Sequence, residues 1–241
     1  MKILGIIPAR YASTRFPAKS LADIGGKSMI QWVYTQAQQS SRISKIVVAT
    51  DDQRIFDHVR SIGADVCMTS ADHVSGTDRC FEALTKQAEQ YDYVINIQGD
   101  EPFISPKQID LLGDLLDGKT ELATLAKKIG DNEVLHNPNV VKLVKNVAGE
   151  ALYFSRFAIP YLRNNVDHIF FKHIGMYAYR SDILGKITRL PVSSLERAES
   201  LEQLRWLENG YKIKVAETHQ ETIGVDTPED LEKAIAFLKN R

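Results

Sequence analysis

The sequence predicts an α/β fold, an open and mostly parallel sheet carrying a β-rich insertion, in one domain spanning residues 1–241. Three observations predict it. Strand-like and helix-like patterns alternate from Ile3 to about residue 126, as successive βαβ units require. The strand-like runs are continuously apolar, the mark of strands covered on both faces. The alternation then yields to a hairpin signal and a Tyr- and His-rich strand, before helices close the chain.

Taken in order, Ile3–Ile7 is a buried strand, and residues 28–40 form a helix with Met29, Ile30, Val33, Tyr34 and Ala37 at helical spacing. Lys45–Thr50 is the second strand, and Ile55, Val59 and Ile62 mark the next helix. Val66–Met68 and Tyr93–Ile97 are strands three and four, with a helix starting near Cys80 between them. A helix carrying Ile109, Leu112, Leu115 and Leu116 leads to a strand at Leu122–Ala126. Val140–Lys145 and Ala151–Ser155 flank Asn146–Glu150 as a hairpin, and His173–Arg180 is a further strand. Leu195–Asn209 reads as one helix closed by Gly210. Lys212–Val215 and Thr222–Val225 read as strands, and Thr227 caps a last helix with Pro228 at its first position and acids in its first turn. The core is expected over about 1–130 and 211–241, with the insertion over about 131–210.

Composition excludes several classes. Hydrophobic residues at 44% and charged residues at 25% rule out a disordered chain. A net charge of −1 leaves no basic excess to draw in nucleic acid. No apolar stretch reaches 18 residues, and the run before Pro8 is too short for a signal segment, so no membrane partner and a cytoplasmic location are expected. Cys67 and Cys80 lie in no C-x-x-C pair, which disfavours zinc and redox chemistry.

Ligands of open α/β sheets bind beyond the carboxyl ends of the strands, and three loops there are unusual. The first, Pro8–Lys19, holds Arg10, Arg15 and Lys19 without an acid, and its small residues 12–14 let backbone N–H groups approach an anion. Gly26-Lys27-Ser28 is no Walker A loop, because Leu21 stands where that motif needs glycine. The second, Ile97–Pro102, offers Asp100 at a strand end, and Asp226 closes Ile223–Val225 in the same fashion. Two such carboxylates suit Mg²⁺ bound to phosphates, although either alone also reads as a helix cap. The third, Ser75–Arg79, fits helix capping or recognition of a base edge. Cations for phosphates, carboxylates for Mg²⁺ and the absence of a Ser-His-Asp or Cys-His set point to nucleotidyl transfer, which is chiefly positioning and charge stabilisation.

The segments IIPARYASTRFPAKSL, ATDD, SGTDR, NIQGDEPFI, NPNVVK, LYFSRFAIPY, HIGMYAYR, LEQLR and IGVDTPEDLE occur in this order over nearly the whole chain. Together they resemble the 3-deoxy-manno-octulosonate (Kdo) cytidylyltransferase family, within the wider nucleotide-diphospho-sugar transferases and their Rossmann-like core. The resemblance implies that CTP and Kdo give CMP-Kdo and pyrophosphate for lipopolysaccharide biosynthesis, by attack of the anomeric hydroxyl on the α-phosphorus. It implies that Arg10, Ser13, Arg15 and Lys19 hold the triphosphate, and that Asp100 and Asp226 carry Mg²⁺. Ala9, Thr77 and Arg79 would seat cytidine. Gln98, Arg156, His173, Tyr177, Glu202 and Gln203 would line the acid-sugar pocket, His173 also reading as a core histidine of an aromatic strand. Two alternatives remain: an amino-substituted Kdo or sialic-type acid as acceptor, and a non-catalytic sugar-nucleotide-binding regulator. Tyr153, Phe154, Phe157, Tyr161, Phe170 and Phe171 crowd the insertion, which predicts a homodimer, as the resemblance also implies. The chain departs from the family at Pro17-Ala18-Lys19-Ser20, where Pro-Gly-Lys-Pro is common, and the stretch between Pro160 and His173 is shorter.

Overall fold

The computed structural model describes residues 1–12, 16–130, 132–164 and 166–239. Strand β1 (Ile3–Ala9) leads through a 3-10 turn at Lys19–Leu21 into a small hairpin of β2 (Asp23–Ile24) and β3 (Lys27–Ser28). Next come α1 (Met29–Ala37), β4 (Lys45–Thr50), α2 (Gln53–Ser61), β5 (Val66–Met68), α3 (Gly76–Thr85) and β6 (Tyr93–Asn96). They are followed by α4 (Pro106–Gly113), β7 (Leu122–Lys128), α5 (Asn132–His136), β8 (Lys142–Lys145), β9 (Ala151–Ser155) and β10 (Phe171–Arg180). The chain closes with α6 (Ser181–Ile187), α7 (Ser194–Glu199), α8 (Glu202–Glu208), β11 (Ile213–Glu217) and α9 (Pro228–Lys239).

The main sheet runs β11-β7-β10-β6-β1-β4-β5, with β8 paired to β10 and β9 to β8. The β6-β1-β4-β5 pairs and β11-β7 are parallel. β10 is antiparallel to both β6 and β7, so the later segment is wedged into the middle of the sheet. Successive residues of a strand face opposite sides, and the apolar runs accordingly feed two layers. Ile3, Ile7, Val48 and Ile95 pack with α1, α2 and α4, whereas Leu4, Ile6, Val47 and Val94 pack with α3, α6 and α8. A third cluster seats α9 on β2 and on Phe103 through Ile24, Val225 and Ala234. Caps fix the helix starts: the Ser28 hydroxyl accepts from the Gln31 amide, and Ser75 and Asp78 form a reciprocal capping box.

Several sequence expectations need correction. The helix expected over Leu195–Asn209 is two helices, because Ser200 adopts the left-handed conformation (φ 52°) and breaks the ladder between α7 and α8. Thr222–Val225 is not a strand, since the Val225 amide bonds the Asp100 carbonyl instead of a neighbouring strand (2.9 Å). α4 ends at Gly113, ahead of Leu115 and Leu116. The short helices α5 and α6 were not expected. The insertion aromatics divide: Phe154 is buried, Tyr153 and Phe171 pack against the same core, and Phe157 and Tyr161 remain exposed.

Candidate active site

The carboxyl ends of β1 and β6 meet at Gly99. A Cβ there would lie 2.6 Å from the Pro8 carbonyl, so only glycine lets the Asp100 loop come this close to the first loop. The first loop is held at both sides. The Ala18 amide donates to the Tyr11 carbonyl (2.9 Å), and the Arg54 guanidinium covers the Tyr11 ring 3.3 Å from its centroid. Ala18 itself sits at φ 60°, a left-handed conformation that favours glycine.

That turn delivers Lys19 to the two aspartates. Its ammonium donates to Asp100 Oδ2 (2.8 Å), Asp226 Oδ1 (2.9 Å) and the Val225 carbonyl (3.3 Å). Burial opposes the ammonium's charge, but the Asp100 and Asp226 carboxylates outweigh it and hold the pKa above the ordinary lysine value. The two aspartates thus converge although they lie on different segments, and the backbone bond from Val225 to Asp100 locks them together. Glu101, beside them, was not singled out from sequence. Burial, with help from the Asp100 charge, pushes its carboxyl up to about 8, and its Oε2 is buried without a partner among the described residues.

Around this centre lie the other candidates. Ala9 ends β1 and is buried. Arg10 is half-buried, its pKa lowered by burial and by the Arg79 charge. Ser13 and Arg15 lie outside the described residues. Arg79 is fully buried, with its guanidinium on Asp51 Oδ2 (2.6 Å) and the Thr69 hydroxyl. It ties α3 to the ends of β4 and β5, so any influence on a base acts through that frame. Thr77, at the start of α3, donates to Glu202 Oε2 (2.8 Å) and joins α3 to α8. Burial raises the Glu202 carboxyl above its usual range, and Gln203 beside it is buried.

The middle of β10 forms a second wall. A register shift between Ile174 and Tyr177 turns the Gly175 carbonyl towards Gln98, whose Nε2 donates to it (2.6 Å). Thr124 Oγ1 donates to the Met176 carbonyl (2.8 Å) and lies 2.9 Å from His173 Nε2, so that nitrogen carries the proton. Burial pushes the His173 pKa down to about 3, which keeps the ring neutral. The ring lies edge-on to Phe154 and tilted against Tyr177, whose buried hydroxyl has no partner among the described residues. The core reading of His173 thus matches its surroundings, a neutral ring packed among the aromatics of β9 and β10. Arg156 follows β9, half-buried, and spends three of its N–H groups on the carbonyls of Glu199 (2.7 Å), Pro138 (3.1 Å) and Ser200 (3.3 Å). These three bonds leave one further N–H on each terminal nitrogen, and a guanidinium can offer such a pair to a carboxylate.

An open sheet whose strand ends gather cations, paired carboxylates and a second polar wall defines a nucleotidyltransferase. The cytidylyltransferase family matches residues 4–213, and the chain belongs to it. Within that family it is similar to the 3-deoxy-manno-octulosonate cytidylyltransferase of Parabacteroides distasonis, 57% identical over all of both chains. It is also similar to that of Cytophaga hutchinsonii, 58% identical over 96% of this chain and 95% of the relative. The solved structure of CMP:2-keto-3-deoxy-manno-octonic acid synthetase complexed with CTP superposes with a TM-score of 0.95 at 44% identity, covering 100% of this chain and 99% of that one. A 4-diphosphocytidyl-2C-methyl-D-erythritol synthase from Anaerococcus prevotii shares the fold alone, with a TM-score of 0.67 at 18% identity over 99% of this chain and 98% of that one.

Proposed function

We propose that the chain transfers the cytidylyl group of CTP to Kdo, giving CMP-Kdo and pyrophosphate, in the supply of Kdo for lipopolysaccharide. The observation that carries this reading is the meeting of Lys19, Asp100 and Asp226 beyond the strand ends, in a chain so similar to Kdo cytidylyltransferases. The nucleotide half comprises about residues 1–130 and 211–241, and the acceptor half about 131–210. Arg10, Lys19 and, outside the described residues, Ser13 and Arg15 hold the triphosphate and offset its charge. Ala9 and the Thr77–Arg79 frame seat the cytidine. Gln98, Arg156, His173, Tyr177, Glu202 and Gln203 shape the acceptor pocket, with Arg156 taking the sugar carboxylate. The anomeric hydroxyl attacks the α-phosphorus, the bond to the bridging oxygen breaks, and pyrophosphate leaves.

Asp100 and Asp226 fit Mg²⁺, since paired carboxylate oxygens are the donors a hard cation takes. The ion would neutralise charge on the phosphates. No described group of three or more His, Cys, Asp or Glu side chains forms a closed metal cage. Two carboxylates beside bound phosphates are what a site open to nucleotide requires. No described helix is long and apolar enough to cross a membrane, and we place the enzyme in the cytoplasm. Phe157, Tyr161, Leu162, Val166 and Ile169 are all exposed apolar side chains of one stretch of the insertion, which supports a homodimer through it.

Pyrophosphate release with CTP and a panel of acceptors tests the reading. Kdo should support Mg²⁺-dependent release, neutral hexoses should not, and Asp100→Ala and Asp226→Ala should each abolish it. Release with none of the acid sugars, Kdo, its amino-substituted form or a sialic acid, would leave a nucleotide-binding regulator in its place.

A further inference from the structure

We propose that Lys142 is a positioning residue of the acceptor pocket, fixing Arg156 where its guanidinium meets the sugar carboxylate. The inference rests on the reading of Arg156 given above. Lys142 begins β8 with a fully buried side chain, in register with Ser155 of β9 and Lys172 of β10. Its ammonium has three N–H groups and three carbonyl partners: Asn137 (3.0 Å), Val140 (2.7 Å) and Arg156. A buried ammonium is costly to desolvate, and carbonyl dipoles offset only part of that cost.

What the lysine gathers explains its place. The Arg156 carbonyl is held directly. The turn over Asn137–Val140 is held at both ends, and the Pro138 carbonyl between them accepts from Arg156 Nη1 (3.1 Å). The strand neighbour Val141 accepts from the His173 amide (2.8 Å), so the same corner also sets the second pocket wall. On the far side, Glu199 takes the Ser155 hydroxyl (2.6 Å) and the Arg156 amide (2.8 Å), and its carbonyl takes Arg156 Nε (2.7 Å). Arg156 is therefore clamped between the α7–α8 junction and a turn that the Lys142 side chain links to the sheet. A water in that position could satisfy the same carbonyls, but it would not be tethered to β8. The lysine stem transmits the rigidity of three paired strands to the Arg156 fork.

Steady-state kinetics with each substrate varied in turn tests this. Lys142→Met keeps the length and removes the donors. It should raise KM for Kdo at least tenfold while KM for CTP stays within twofold. In the Arg156→Ala background the same change should add less than twofold to KM for Kdo, because the residue acts through Arg156. An unchanged KM for Kdo in Lys142→Met, or a full tenfold addition in the Arg156→Ala background, overturns the proposal. If Arg156→Ala raises KM for Kdo and Lys142→Met does not, the pocket reading survives and Lys142 is only a core staple. If Arg156→Ala leaves Kdo unaffected, the pocket reading itself fails and takes this inference with it. Should Lys142→Met not fold, Lys142→Gln replaces it. Should neither fold, the ¹⁵Nζ resonance of Lys142 in the wild-type enzyme decides: it should shift on saturation with Kdo, and a resonance that stays in place overturns the proposal.

Discussion

Lys19 is a counter-ion of two aspartates, and replacing it by methionine exposes what that contact is worth. Two oxygens that share one ammonium at 2.8 and 2.9 Å lie within about 6 Å of one another. At an effective dielectric of about 20, two unit charges at that separation repel by about 3 kcal/mol. The Asp226 side chain is 43% exposed, so water screens it, and a loss of about 1–2 kcal/mol at pH 7 is the expected cost of Lys19→Met. Urea unfolding in 0.1 M salt reads this directly. Added Mg²⁺, without nucleotide, should recover most of the loss in the variant and do much less for the wild type, whose aspartates already hold an ammonium. Turnover should fall by about 10²–10³, as removal of a preorganised charge donor does. Equal unfolding midpoints for both proteins, or equal Mg²⁺ shifts, would show that the lysine does not offset the pair and would refute the reasoning.

Three further outcomes are expected. His173 has a folded pKa of about 3 against an ordinary 6.5, so below 6.5 the unfolded chain takes a proton that the fold refuses; stability should fall as pH drops from 6.5 towards 3, by about 1.4 kcal/mol per unit. His173→Gln should flatten that profile in urea midpoints taken from pH 7 to 4, and parallel profiles would contradict the assignment. Ala18→Gly relieves a left-handed alanine and should raise Tm by about 1–3 °C by calorimetry, whereas a fall would mean that the turn carries no strain. Light scattering at micromolar protein should give twice the monomer mass, and Phe157→Ser with Tyr161→Ser should halve it; a monomeric wild type would rule out the homodimer.

The nucleotide side was legible in sequence because its signals are local. Continuous apolar runs gave β1, β4, β5 and β6, and the cation loop and the Asp100 turn were read from residue type and position in the alternation. What pattern could not show is convergence. Asp226 meets Asp100 through an irregular segment that looked like a strand, because Ile223–Val225 is apolar while its backbone bonds elsewhere. Arg79 read as a group that helps to seat cytidine, and its burial against Asp51, distant in sequence, was not legible. Lys142 sits in an apolar stretch, and nothing in Val140–Val144 announces an ammonium bonded to three carbonyls. The break at Ser200 was hidden because a serine in the left-handed conformation carries no glycine to mark it.

The antiparallel wedge of β10 sets the order in which the chain can fold as it is made. β6, β1, β4 and β5 have all emerged by residue 96 and can pair with one another. β7 ends at residue 128, but its neighbours β10 and β11 begin only at residues 171 and 213. At about 5–20 residues per second of synthesis, β7 waits roughly 2–9 s for its first partner strand. Over the same interval the open edge of β6 is a template for wrong pairing. Lys127 and Lys128 place charge at one end of the otherwise mostly apolar β7, which disfavours premature strand addition there. The segment after residue 170 therefore completes the sheet, and until β10 and β11 arrive the core is not closed.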